Sequence, residues 1–151
     1  MIYLFPYFAR HRLDKQWCLK KYLFVTLVVA SISICITLVL ILLSKPLLPL
    51  LFGEEYSSIS MVFNISMLSF LANGGFRIVA GNVLASQRKY TINLIVSFVA
   101  IAVSFSLCLT LIPLYGIVGA AWGSFGAMTS AALIFNIYLI KHLKTKDKEL
   151  T

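Results

Sequence analysis

Between Tyr90 and Ile140 the chain carries no charged side chain. At about 1.5 Å rise per helical residue, this stretch is far too long for one crossing of a hydrocarbon core about 30 Å thick. Ile112-Pro113-Leu114-Tyr115-Gly116 interrupts it with the residue types that punctuate helices. Pro113 and Gly116 are therefore read as a hinge between two membrane spans, 90–112 and 117–140.

The rest of the chain follows the same pattern. Lys21 and Lys45 bracket an uncharged stretch, read as a span over 22–43, and the less apolar stretch between Glu55 and Ser86, interrupted only by Arg77, gives a span over 58–82. Composition removes the alternatives. The 151 residues are 60% hydrophobic and 12% charged, whereas a soluble domain carries about a quarter charged residues. Disorder is excluded because long apolar runs collapse or insert. The net charge of +8 does not point to nucleic acid, because the basic residues flank apolar stretches instead of forming one compact face. The expected fold class is an all-α membrane protein with four transmembrane helices.

Charge also sets the orientation. Arg10, Arg12, Lys15, Lys20 and Lys21 precede the first span, Arg88 and Lys89 lie between the second and third, and Lys141, Lys144, Lys146 and Lys148 follow the fourth. The opposite side holds only Lys45 and Glu54-Glu55. The Lys/Arg excess places both termini and the 83–89 loop in the cytoplasm. The expected organisation is a basic cytoplasmic segment over 1–21, a four-span domain over 22–140 and a basic tail over 141–151. The first apolar run is too long for the apolar core of a signal peptide. The aromatic opening Met1–Ala9 reads either as an interfacial anchor or as the tail of a preceding helix.

Because the spans contain few polar groups, their angular placement is informative. Projected at about 100° per residue, Ser66, Ser69, Asn73, Arg77 and Gly81 fall within an arc of about 120°. Asn93, Ser97, Ser104 and Cys108 share one side of the third span, and Thr26, Ser33 and Thr37 one side of the first. Such stripes face other helices or a water-filled cavity, or their hydroxyls bond back to their own backbone. Arg77 stands out. It lies about 16 Å along a helix from Arg88, so it either snorkels to the cytoplasmic headgroups or projects into a cavity beside Asn73. In a cavity, an arginine pairs with a carboxylate or binds an anion such as phosphate. No acidic residue lies within any span. Asn73-Gly74-Gly75 just before it is a weak point in the helix. The cavity candidates are Arg77, Asn73, Ser66, Ser69, Asn93, Ser97 and Ser104.

In the fourth span Gly119, Gly123, Gly126 and Ser130 project within an arc of about 60°, a small-residue stripe that lets a neighbouring helix approach closely. No carboxylate pair, hydrolytic triad, phosphate-cradling lysine loop or metal cluster is legible, and the three cysteines are widely spaced. No catalytic residue, metal or cofactor is assigned. The basic rim is expected to meet anionic lipid headgroups.

Four stretches carry a resemblance. Leu51-Phe52-Gly53-Glu54-Glu55-Tyr56 resembles the loop before a membrane helix in the C-terminal half of polysaccharide-exporting flippases. Leu111-Ile112-Pro113-Leu114-Tyr115-Gly116-Ile117-Val118-Gly119-Ala120-Ala121 resembles the hinge before that family's last conserved helix. Ala85-Ser86-Gln87-Arg88-Lys89-Tyr90 is similar to its short cytoplasmic loop, and Leu4–Arg10 to the Pro-containing end of the helix before its cytoplasmic linker. The family is the multidrug/oligosaccharidyl-lipid/polysaccharide exporter superfamily, in particular its O-antigen and repeat-unit flippases. The resemblance implies that residues 22–140 are like the polysaccharide biosynthesis C-terminal domain, a partial bundle of a twelve-to-fourteen-span exporter. It further implies a bacterial inner-membrane protein that moves undecaprenyl-diphosphate-linked oligosaccharide between leaflets. Arg77, Asn73 and the third-span stripe would then line a cationic cavity. The family's N-terminal bundle has no counterpart here, so a separately encoded half or a homo-oligomer is the expected partner, and activity without it is not expected. The rival readings are a fragment of a cation-extruding relative, which should show acidic residues within its spans, and a small packing module that associates through the Gly119 stripe.

Overall fold

The computed structural model describes residues 4–11 and 14–144. Met1–Tyr3 and the part of the basic tail from residue 145 onward lie outside the described residues. Helix α1 (Leu4–Arg10) is short and tolerates Pro6 because its first-turn amides have no intrahelical acceptor. It is closed by His11, whose Nδ1 donates to the Tyr7 carbonyl at 3.1 Å. Asp14 then caps α2 (Lys15–Phe52) by accepting from the Trp17 amide at 2.9 Å.

Helix α2 runs from the basic segment to beyond Pro46 and Pro49 and stops at Gly53 (φ 99°), whose amide donates to the Pro49 carbonyl. At about 1.5 Å per residue it is far longer than a hydrocarbon core about 30 Å thick. The uncharged stretch 22–43 is therefore only the middle of the helix. A 3-10 helix (Glu54–Ile59) leads into the second span, built from α3 (Ser60–Leu71), a π-helix (Ala72–Arg77) and α4 (Ile78–Ser86). A tight turn with Arg88 in the left-handed region (φ 59°) joins it to α5 (Tyr90–Tyr115), and the single residue Gly116 (φ 57°) joins α5 to α6 (Ile117–Lys144). The helix continues through Pro113, at the cost of one backbone bond, and the chain reverses only at Gly116, whose amide still donates to Ile112.

The fold is all-α, with four helices long and apolar enough to cross a membrane and no strand among the described residues. Helix α6 is the centre of the bundle, in contact with α2, α3, the π-helix, α4 and α5. Helix α5 packs on α6 and, more lightly, on α4. The largest buried cluster sits towards the Arg88–Lys89 end, where Phe8, Cys18, Tyr22, Leu84, Val96, Phe135 and Leu139 meet. At that end Lys15 Nζ donates to the His142 carbonyl at 3.4 Å and Gln87 Nε2 to Cys18 Sγ at 3.6 Å. The start of α2, the turn at 87–89 (shorter than the expected 83–89 loop, because α4 runs on to Ser86) and the end of α6 thus gather their basic residues at one end of the bundle. Long apolar side chains such as Leu27, Leu42, Leu94, Phe98 and Phe105 are exposed on its sides, as expected of helices whose outer faces meet hydrocarbon.

Candidate functional site

The middle of the second span abandons α geometry at Ala72-Asn73-Gly74-Gly75-Phe76-Arg77. The Ile78 amide donates to the Asn73 carbonyl, five residues back. Two adjacent glycines weaken the α alternative by about 1 kcal/mol each relative to alanine. Single π turns inside α-helices are frequent at functional sites. Gly75 is buried against Ala30 and Ser33 of α2, yet an added Cβ would meet no atom of α2 closer than 3.6 Å. Glycine is thus not needed there for clearance; its contribution is backbone freedom.

Arg77 closes the π-helix and is half-buried. Its Nη1 donates to Asn73 Oδ1 at 3.0 Å. Asn73 lies one turn nearer the α3 end of the span, so the guanidinium is held back along the helix and away from the basic end towards which it would have to snorkel. Its Cζ stands 5.9 Å from the centroid of the buried Phe135 ring on α6, within cation–π range. Its Nε is buried and has no hydrogen-bond partner. An uncompensated buried N–H on a charged group is costly, and more so in the low dielectric of a membrane. The arrangement is a cation fixed on one side by Asn73 and Phe135, with a donor left to spend.

The other sequence candidates are not gathered at this point. Ser66 and Ser69 donate back into their own helix, to the carbonyls of Val62 (2.9 Å) and Ile65 (3.1 Å). Asn93 donates across to the Gly81 carbonyl at 3.3 Å, while its Oδ1 is buried without a partner. Ser97 and Ser104 are half-buried on α5, and the packing partners of that helix are α6 and α4, not α3 or the π-helix. Arg77 and Asn73 are thus the only two of the seven joined by a hydrogen bond. The first-span stripe faces inward, with Ser33 and Thr37 buried and Ser33 beside Gly75.

Sequence reasoning missed the contribution of α6. Tyr22 donates its phenolic hydroxyl to Asn136 Oδ1, and Asn136 Nδ2 donates to the Ala132 carbonyl at 2.7 Å. This α2–α6 link lies next to Phe135, the ring under Arg77. An asparagine in an uncharged span was the available signal. The glycine stripe is used within the chain. A Cβ on Gly119, Gly123 or Gly126 would lie 2.2, 2.7 or 2.5 Å from Leu111 O, Cys108 Sγ or Leu107 Cδ1 on α5. Ser130 donates to the Ala127 carbonyl of its own helix at 2.9 Å. Pro113 and Gly116 lie at the end of α5 and in the turn to α6. Among the described residues no group of His, Cys, Asp and Glu is placed to hold a metal ion. No protein-family model, curated protein or solved structure matches the chain.

Proposed function

We propose that the chain is a membrane-translocator domain that engages an anionic, lipid-linked substrate through Arg77, with Asn73 fixing the guanidinium. The observation that carries this reading is the unpartnered Arg77 Nε at the end of a π-helix in mid-span. No carboxylate lies in any of the four spans to neutralise that arginine, so the counter-charge has to come from outside these helices. A diphosphate supplies it with the fork geometry a guanidinium matches best. The resemblance of four short stretches to repeat-unit flippases supports polyprenyl-diphosphate-linked oligosaccharide as the substrate, moved from the inner to the outer leaflet of the bacterial cytoplasmic membrane. In this reading the basic end faces the cytoplasm and both termini lie there, and the bundle works with the remaining spans of an exporter.

A cation extruder would have to carry its acidic residues on spans other than these four, which hold none. The Gly119 stripe is already occupied by α5, which argues against a module that associates through that face.

The test is binding of undecaprenyl diphosphate to the full chain in lipid nanodiscs. Arg77→Gln removes a charge-assisted contact worth about 1.5–3 kcal/mol, so affinity falls about 10- to 100-fold. Arg77→Lys retains part of it because the charge stays and the fork is lost. Equal affinity in all three proteins would refute the assignment.

A further inference from the structure

Helix α3 (Ser60–Leu71) lies between two segments that are wound differently from it. The 3-10 helix before it has six residues, although runs of more than three or four are uncommon. At about 3.0 residues per turn it is overwound by about 20° per residue against the α value, about 120° in all. The π-helix after it is underwound, because its five-residue hydrogen-bonded step takes up one residue more than an α turn, about 100°. When both segments wind to α geometry the two changes nearly cancel, so α3 turns by about 100° while the ends of the span stay where they are. The lengths compensate as well. The 3-10 helix shortens by about 3 Å as its rise falls from about 2.0 to about 1.5 Å per residue, and the π end lengthens by about one residue's rise.

Burial shows which half of the span is held. Five of the nine residues of α4 are buried, whereas Ile65 is the one buried residue among the twelve of α3. Relative to α4, the rewinding moves each residue of α3 into the place of the one before it. Ser66, now exposed, takes the buried place of Ile65, and Met67 comes out into the place of Ser66. That exchange costs little where the outside is hydrocarbon. Ile65 takes the place of Asn64, whose Oδ1 is buried there without a partner, an arrangement that is costly in the present register. The hydroxyls of Ser66 and Ser69 bond to carbonyls of α3 itself and travel with it. The larger arrivals, Phe63 in the place of Val62 and Phe70 in that of Ser69, need volume, and a cavity of about 380 Å³ lies beside Leu68, Leu71 and Phe76.

We infer that α3 is a two-position rotor, which presents Ile65 to the bundle in one register and Ser66 in the other. In the second register the span is α-helical throughout, and Ser66, Ser69, Asn73 and Arg77 share one arc of about 120°. The π-helix interrupts this polar track, and its rewinding restores it. The rotation goes beyond the proposed translocation and does not depend on what Arg77 binds.

The test is the oxygen accessibility of single nitroxide labels, measured by electron paramagnetic resonance on the full chain in lipid nanodiscs with Cys18, Cys35 and Cys108 replaced. Oxygen concentrates in hydrocarbon, so a label on Ser66→Cys should be more accessible than one on Met67→Cys. Gly74→Ala combined with Gly75→Ala favours α geometry by about 30-fold in the population ratio. Accessibility should then fall at 66 and rise at 67, while a label at the lipid-exposed Phe98 of α5 keeps its value. Deleting Gly74 removes the extra residue itself, so the span becomes α-helical with α3 in its present register and position 66 should stay the more accessible. If the double variant does not fold, Gly75→Ala alone, whose added Cβ meets no atom of α2 closer than 3.6 Å, should move both labels in the same directions through a shift of about fivefold. No change at 66 and 67 in the alanine variants would overturn the proposal. So would a reversed order on deletion of Gly74, or parallel changes at 66, 67 and 98.

Discussion

Gly119, Gly123 and Gly126 on α6 and Gly74 and Gly75 in the second span are one residue type in two opposite uses. On α6 the glycines are clearance. Each leaves room for an atom of α5 that lies within 2.7 Å of where a Cβ would be, and the two helices, joined by Gly116 alone, form the most extensive contact in the bundle. In the second span nothing from another span comes closer than 3.6 Å to an added Cβ at Gly75, Leu71 of α3 stands at an ordinary 3.5 Å, and only Phe70 approaches Gly74. There the glycines lower the cost of leaving α geometry, and the π-helix they permit ends on Arg77. Rigidity of packing and freedom of backbone thus come from the same side chain, and only its neighbours tell which is in play.

The sharpest way to break this contrast is Gly119→Ala. The added methyl meets the Leu111 carbonyl oxygen at 2.2 Å, a backbone atom that cannot rotate aside. The hairpin must open, at about 3 kcal/mol, the upper part of the usual overpacking range. Thermal unfolding of the chain in detergent or nanodiscs should register a clear loss of stability. The opposite sign is expected for Gly75→Ala. The space exists, and alanine favours helix by about 1 kcal/mol over glycine, so the midpoint should be unchanged or rise. Binding of undecaprenyl diphosphate should nonetheless weaken, since an α-helical register would turn Arg77 away from Phe135. Comparable destabilisation by both substitutions would mean that the two glycine regions do the same job.

Much of the architecture was legible because charge is so sparse. Gaps between Lys21, Lys45, Glu55 and Lys141 marked four apolar helices, and Pro113 and Gly116 divided the longest run. Helix ends were not legible in the same way. Lys15–Lys21 remain helical because charge marks where the hydrocarbon ends, whereas backbone hydrogen bonding and the Asp14 cap decide where the helix starts. The site was legible only in part. The weakness at Asn73-Gly74-Gly75 and the pairing of Arg77 with Asn73 follow from composition and spacing. The projection that aligned Ser66 and Ser69 with Arg77 assumed about 100° per residue throughout. A π-helix turns each residue by less, so faces before and after it no longer correspond. Phe135 and Asn136 could not be placed against Arg77 from sequence at all, because a contact between the second and fourth spans depends on how the helices pack.

The proposed function requires that an anion can reach Arg77 in mid-membrane. Accessibility of a single thiol measures this most directly. With Cys18, Cys35 and Cys108 replaced, Arg77→Cys in the full chain should react with a small anionic methanethiosulfonate reagent. Undecaprenyl diphosphate should protect it, while a cysteine at the lipid-exposed Phe98 stays unreactive. A thiol at position 77 as inert as the one at 98, or one that the diphosphate leaves equally reactive, would mean that Arg77 does not bind the diphosphate.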